Sequence, residues 1–177
     1  MSNDSMPLMT VFDGWEGHQR SLVDAIRPLT REQLAFRPAP QLRSVGELAE
    51  HISQGRIDWF DRMQARRIPK PDELTGVDNP HETIDEDAPA LVRHLETSWA
   101  VVADTLRGWT VADLTATYQH VYFGRTYNIS RQWTIWRIMT HDMHHGGELA
   151  LMLGLQGIPV PELGDQFGHL VMPPLAE

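Results

Sequence analysis

Hydrophobic positions divide the chain into four helical stretches joined by connections rich in Pro and Gly. From Leu8 to about Arg27, Leu8, Phe12, Trp15, Leu22 and Ile26 recur at helical steps, with polar Gln19 interrupting the stripe, and Pro28 closes the segment. Thr30-Arg31-Glu32-Gln33 has capping-box spacing for a short turn, after which Arg37-Pro38-Ala39-Pro40 cannot continue a helix. A second long helix is predicted from Ser44, whose hydroxyl can cap the amide near Glu47 while that carboxylate reaches back. Its buried stripe runs through Leu48, Ile52 and Trp59. Pro69 to Pro80 reads as a loop. Thr83-Ile84-Asp85-Glu86 repeats the capping signature ahead of a third helix, traced by Ala88, Leu91, Leu95, Trp99, Val102 and Leu106 and ended by Gly108. Pro89 lies within its first turn or two, which allows a start a few residues later.

The pattern changes between residues 115 and 127. Thr115, Thr117, Tyr118, Val121, Tyr122, Phe123, Thr126 and Tyr127 are β-branched or aromatic and Gly124 interrupts them, which predicts an extended hairpin or ordered loop. Ser130 can then cap a fourth helix from Arg131 to about Leu153, with Gly154 placed to terminate it and Pro159 preventing continuation. Trp133, Trp136, Met139, Met143, Leu149 and Met152 put apolar groups on more than one side of it, so burial on several faces or at a subunit contact is expected. The tail after Gly157, with Pro159, Pro161, Pro173 and Pro174, reads as an irregular arm. The expectation is an all-α fold, a four-helix bundle with a short irregular or hairpin insertion before the last helix.

Composition narrows the picture. A chain of 177 residues with 41% hydrophobic content can bury one sizeable core, so a single domain over 1–177 is expected. The net charge of −9 disfavours nucleic-acid binding, which draws on clustered Lys and Arg. With no Cys, disulfides, thiolate ligands and cysteine nucleophiles are excluded, leaving His and carboxylates for any metal. Lys70 is the one lysine and sits in the turn Ile68-Pro69-Lys70-Pro71, a poor position for Schiff-base chemistry. No apolar run approaches the roughly 18 residues of a membrane span, and Met1 to Thr10 lacks the features of a signal peptide. A cytoplasmic location, with no membrane partner, is expected.

Candidate chemistry concentrates at Thr140-His141-Asp142-Met143-His144-His145-Gly146-Gly147-Glu148-Leu149. His141 and His145 lie one helical turn apart on one face, where two imidazoles can converge on an ion. Spacing alone says little, because nine His in this length give about 0.4 such pairs by chance. His51 adds to it, since it adjoins Leu48 and Ile52 on the inward face of the second helix, where an unpaired imidazole is costly to bury. Inward side chains on facing helices are how bundles build metal sites, and three imidazoles leave a coordination position open, the catalytic arrangement. A second reading stays open at this point: His51 as a hydrogen-bonded core histidine and the pair as a half-exposed polar seam. His144 points about 100° from His145 around the helix and reads as a surface residue. His18, His94 and His120 read as ordinary, with His18 on the first helix placed where it could border the pocket, and His81 and His169, in loop or tail, have weaker claims still. Asp142 reads as a solvated helix residue.

His141 to Leu149, with Ser44-Val45-Gly46-Glu47-Leu48-Ala49-Glu50-His51-Ile52 far upstream and Leu34-Ala35-Phe36-Arg37-Pro38-Ala39-Pro40 before it, resembles the DinB-like (DinB/YfiT-like) family over nearly the whole chain. The resemblance implies a four-helix bundle, a homodimer, and one divalent transition metal, zinc or nickel, held by His51, His141 and His145. It further implies a metal-dependent enzyme acting on a small molecule, with a low-molecular-weight thiol as cosubstrate in an S-transferase reaction. A metal-dependent hydrolase or a non-catalytic metal or small-molecule binding module is the alternative. Many members follow the last metal His with Arg-Gly-Gln, whereas this chain has Gly146-Gly147-Glu148. Glu148, near the same helical face as His145, is the candidate catalytic residue: an acceptor for a ligand imidazole, or a base acting on a metal-bound thiol or water.

Overall fold

The computed structural model describes residues 6–63 and 87–164. A 3-10 turn at Leu8–Thr10 precedes α1 (Asp13–Ile26), α2 (Arg31–Ala35), α3 (Val45–Arg62) and α4 (Ala88–Gly108). A second 3-10 turn at Val111–Thr115 leads into β1 (Thr117–Tyr122) and β2 (Arg125–Ser130), then α5 (Arg131–Leu155) and α6 (Pro161–Gly164). The fold is thus mostly helical with a small two-stranded antiparallel sheet. The all-α expectation is corrected by that sheet: the β-branched and aromatic run pairs with itself from Thr117↔Ser130 to Tyr122↔Arg125. Phe123 and Gly124 make its two-residue turn with φ of 48° and 72°, the left-handed pair that the twist of a tight hairpin demands.

The start signals act locally. Thr30 and Ser44 each cap their helix through a complete capping box, with Gln33 and Glu47 returning the bond to the cap amide. Ser130 accepts from the Trp133 amide at 3.2 Å. The first helix is shorter than its apolar stripe, because the Leu8–Thr10 turn is separate from α1. The cap of α4 is Asp87, which accepts from the Ala90 amide, with Pro89 in the first turn where no amide is needed. The expected cap at Thr83 to Glu86, the loop from Pro69 to Pro80 with Lys70, and the prolines 173 and 174 lie outside the described residues. Gly154 does not end α5. Gly157 does, at φ 73°, with the Ile158 amide donating to the Leu153 carbonyl and the Gly157 amide to the Gly154 carbonyl, a Schellman closure three residues later than expected.

Helix α3 packs against α4 and α5, and α1 packs against α4 and α5. One apolar cluster gathers Leu22, Ile26, Leu48, Ile52, Leu91, Leu95, Leu149 and Leu153, and a second gathers Leu8, Trp15, Phe60, Trp99, Val102, Leu106 and Ile138. The α5 residues Trp133 and Trp136 are exposed, so this helix buries one broad face only. Among the described residues no helix is long and apolar enough to cross a membrane.

Candidate metal centre

Helix α3 brings His51, and α5 brings His141 and His145, into one seam. Ring centroids stand 4.8 Å apart for His51–His141, 4.8 Å for His51–His145 and 4.4 Å for His141–His145. His51 Nε2 lies 3.1 Å from His141 Nε2, and one donor nitrogen from each of the three falls within 4.8 Å of the others. Gly55, one turn beyond His51, makes this approach possible: a Cβ there would stand 2.8 Å from His141 Cε1. The three residues singled out from the sequence therefore do meet.

Burial pushes the His51 imidazolium pKa down to about 3, helped by the Arg43 charge and the two neighbouring rings. His145 is also held below the ordinary histidine value, first by burial, against the opposing effect of Glu148. Glu148 Oε2 accepts from His145 Nδ1 at 2.6 Å. An acceptor-only carboxylate at that distance assigns the ring hydrogen to Nδ1 and leaves the Nε2 lone pair for the seam. His141 Nδ1 stands 3.6 Å from Asp142 Oδ1, and neither atom has a hydrogen-bond partner among the described residues.

This donor set fits a transition-metal ion. Two imidazole nitrogens sharing an ion at about 2.0–2.1 Å in tetrahedral geometry lie roughly 3.3 Å apart, close to the observed pair. Nitrogen lone pairs facing each other at 3.1 Å need a hydrogen or a cation between them. The neutral form favoured at His51 and His145 is the ligating form.

Beside the histidines lies a second polar cluster, and it corrects the reading of Asp142 as solvated. Asp142 is fully buried. Its Oδ2 accepts from Arg56 Nε at 2.7 Å and from Trp15 Nε1 at 2.8 Å. Arg56, also fully buried, donates through Nη1 to Gln19 Oε1 at 2.6 Å, and its guanidinium lies 5.6 Å from the Trp99 ring centroid. Burial alone would raise the Asp142 carboxyl, but the Arg56 charge, the adjacent His141 ring and the bonds from Trp15 and Arg56 hold it below its ordinary value. Gln19, the residue that broke the first stripe, is thus a partner in a buried network.

The remaining histidines separate clearly. His18 is buried and its Nε2 lies 3.1 Å from the Asp142 backbone oxygen. It touches the site from behind, against Gly146, where a Cβ would stand 2.5 Å from His18 Cε1. His144 is exposed as expected, with Nε2 3.4 Å from Glu148 Oε1. His94 is more than ordinary: it is buried, and its Nδ1 lies 2.7 Å from Glu50 Oε2. His120 projects from β1 against Trp59, at 5.3 Å between centroids. His81 and His169 lie outside the described residues. On the α3 side opposite the buried network, Pro38, Leu42, Arg43, Leu48, Glu148 and Leu151 line a groove of about 290 Å³.

Comparison with known proteins agrees with this fold. The sequence profile of the DinB superfamily matches residues 15–149, which takes in all three histidines. The crystal structure of a DinB-like protein from Bacillus cereus ATCC 10987 superposes with a TM-score of 0.68 at 19% identity, covering 88% of this chain and 98% of that one. Comparison of the sequence with curated proteins gave no match.

Proposed function

The chain belongs to the DinB superfamily, and from that premise we propose that its three-imidazole seam is the active site of a metal-dependent enzyme acting on a small molecule, with transfer to or from a low-molecular-weight thiol as the reaction. The observation that carries the reading is the convergence of His51, His141 and His145 from two helices with no acid among the three. A divalent ion held there, zinc or nickel by donor preference, would supply a Lewis acid that lowers the pKa of a bound thiol or water. The three imidazoles bind through nitrogen and leave a position open for that ligand. Glu148 fixes the His145 tautomer through Nδ1 and so holds the ring in its ligating orientation. The groove at Leu42, Leu48 and Leu151 takes the apolar part of the electrophile and keeps water from it. The four long helices, in this reading, form a four-helix bundle of the DinB/YfiT-like type.

One observation favours a second reading, a non-catalytic metal-binding module. Glu148 Oε2 is held by His145 at 2.6 Å, a contact that orients a ligand ring and gives the carboxylate a role needing no proton transfer. The test begins with tag-free protein, reconstituted with zinc or nickel and analysed for metal. About one ion per chain is expected, with loss in His51→Ala, His141→Ala and His145→Ala and release as acid protonates the imidazoles. Full retention in all three variants overturns the metal centre. Stoichiometric metal with no metal-dependent turnover of an electrophile panel, offered with several thiols, leaves the binding module.

A further inference from the structure

The seam that holds the histidines continues past them. Along α3, His51, Gly55 and Trp59 follow in four-residue steps, and along α5 His145, His141, Arg137 and Trp133 do the same in the opposite direction. Gly55 faces His141, and the next step brings the Arg137 guanidinium 4.8 Å from the Trp59 ring centroid. Arg62, the last residue of α3, lies 5.1 Å from the same ring. Two guanidinium groups thus share one indole, which is itself buried.

Arg62 has a local reason for its position, the negative end of the α3 dipole. Arg137, in the second turn of α5, is exposed and spans two indoles: Trp133, four residues before it, at 5.7 Å, and across the seam Trp59, a ring already occupied by a like charge, at 4.8 Å. A cation–π contact at an exposed site contributes on the order of 0.5–1 kcal/mol. None of the ion pairs among the described residues engages either guanidinium, in a chain where acids outnumber bases 24 to 15. His120 closes the end of this patch, and burial and the charges of Arg62 and Arg137 lower its pKa, which favours the neutral ring.

We propose that Arg62 and Arg137, on the floor made by Trp59, form a carboxylate-binding subsite one helical turn from His141, which holds the anionic end of the small molecule whose reactive atom meets the three imidazoles. It rests on the reading of those imidazoles as a metal centre. Planar guanidinium forks match a carboxylate edge to edge. The carbonyl end of α3 at the same place opposes a second negative charge, which selects a monoanion over a phosphate dianion. One turn between Arg137 and His141, about 6 Å along the axis, suits a molecule of a few carbons bearing a thiol at one end and a carboxylate at the other.

The test compares 3-mercaptopropionate with 2-mercaptoethanol, which carries a neutral hydroxyl where the first has its carboxylate, by calorimetry on zinc-loaded full-length protein. Wild type is expected to bind the mercaptocarboxylate about tenfold or more tightly, the scale of a charge-assisted hydrogen-bonded pair. In Arg137→Gln and Arg62→Gln that preference falls to within about twofold while 2-mercaptoethanol binding is unchanged, and Arg137→Lys recovers part of it. Propionate titrated into metal-free protein reads the arginines alone. Arginine-dependent propionate binding in a protein that takes up no zinc would sink the metal reading and spare the subsite. Equal affinity for the two thiols, or a preference that survives both Gln variants, overturns the proposal, and so does arginine-dependent binding of inorganic phosphate tighter than that of propionate. Because Arg62 and Arg137 are exposed, both variants are expected to melt with the wild type.

Discussion

His141 and Asp142 are neighbours in sequence and belong to two polar clusters of opposite character. Asp142 closes a network in which one buried carboxylate meets one buried guanidinium, with Trp15 and Gln19 taking further bonds. His141 belongs to three like groups that face one another with no opposite charge between them. The first cluster balances its charges within the protein and ties α1, α3 and α5 together. The second turns its nitrogen atoms toward a common point that a cation could fill. Buried polarity serves the fold when its charges cancel among themselves, and a ligand when they leave a common need.

The largest effect that could break this comparison is on stability. Asp142→Ala strands the Arg56 charge in the core and is expected to cost about 3–5 kcal/mol in urea unfolding of metal-free protein. The paired change Arg56→Met with Asp142→Leu should restore most of it. His141→Ala under the same conditions is expected to cost about 1 kcal/mol. Equal losses for Asp142→Ala and His141→Ala would erase the distinction.

On the metal side, Gly55→Ala places a methyl carbon against His141 and should lower metal affinity by about 10–100-fold, the range for disturbed supporting groups. Glu148→Gln weakens the hold on His145 and is expected near the lower end of that range, with metal-free stability changed by less than about 0.5 kcal/mol. Competition with a chromogenic chelator measures both.

The smallest effect concerns Glu47 at the start of α3, a buried acid whose partners lie at the rim. Burial would raise its pKa, but Arg37 at 2.5 Å and the Ser44 amide at 2.7 Å bring it below the ordinary value. A lowered carboxyl stabilises the fold above its unfolded pKa and loses that contribution as pH falls through the folded one. Glu47→Gln should therefore cost about 1 kcal/mol near neutrality, and progressively less in acid. A penalty that does not shrink with falling pH would show that the ion pair plays no part.

Much of this was legible locally. Ser44, Thr30 and Ser130 announce their helices because a cap is decided within four residues. His51, His141 and His145 could be read from inward position and family order. Asp142 could not be read as a charge, since a helical Asp is usually solvated, yet its place was visible. It lies four residues from Ile138 and seven from Ile135 and Leu149, all buried. Arg56 stands four residues from Ile52, and Gln19 four from Trp15, in the same way. Three polar residues each interrupt an apolar stripe, on three helices, and they interrupt it toward one another. The Gly157 ending was missed because Gly154 offers the same residue type one turn earlier, and only the backbone path decides between them.

The contact between His18 and Gly146 reaches beyond this molecule. Any side chain at 146 would drive its first carbon into the His18 ring. Positions 18 and 146 are therefore coupled in descent: a relative with Arg after its last metal histidine should carry a small residue, or a displaced first helix, where this chain has His18. A lineage passing from one state to the other must first change position 18, or shift the helix that carries it, before position 146 can grow.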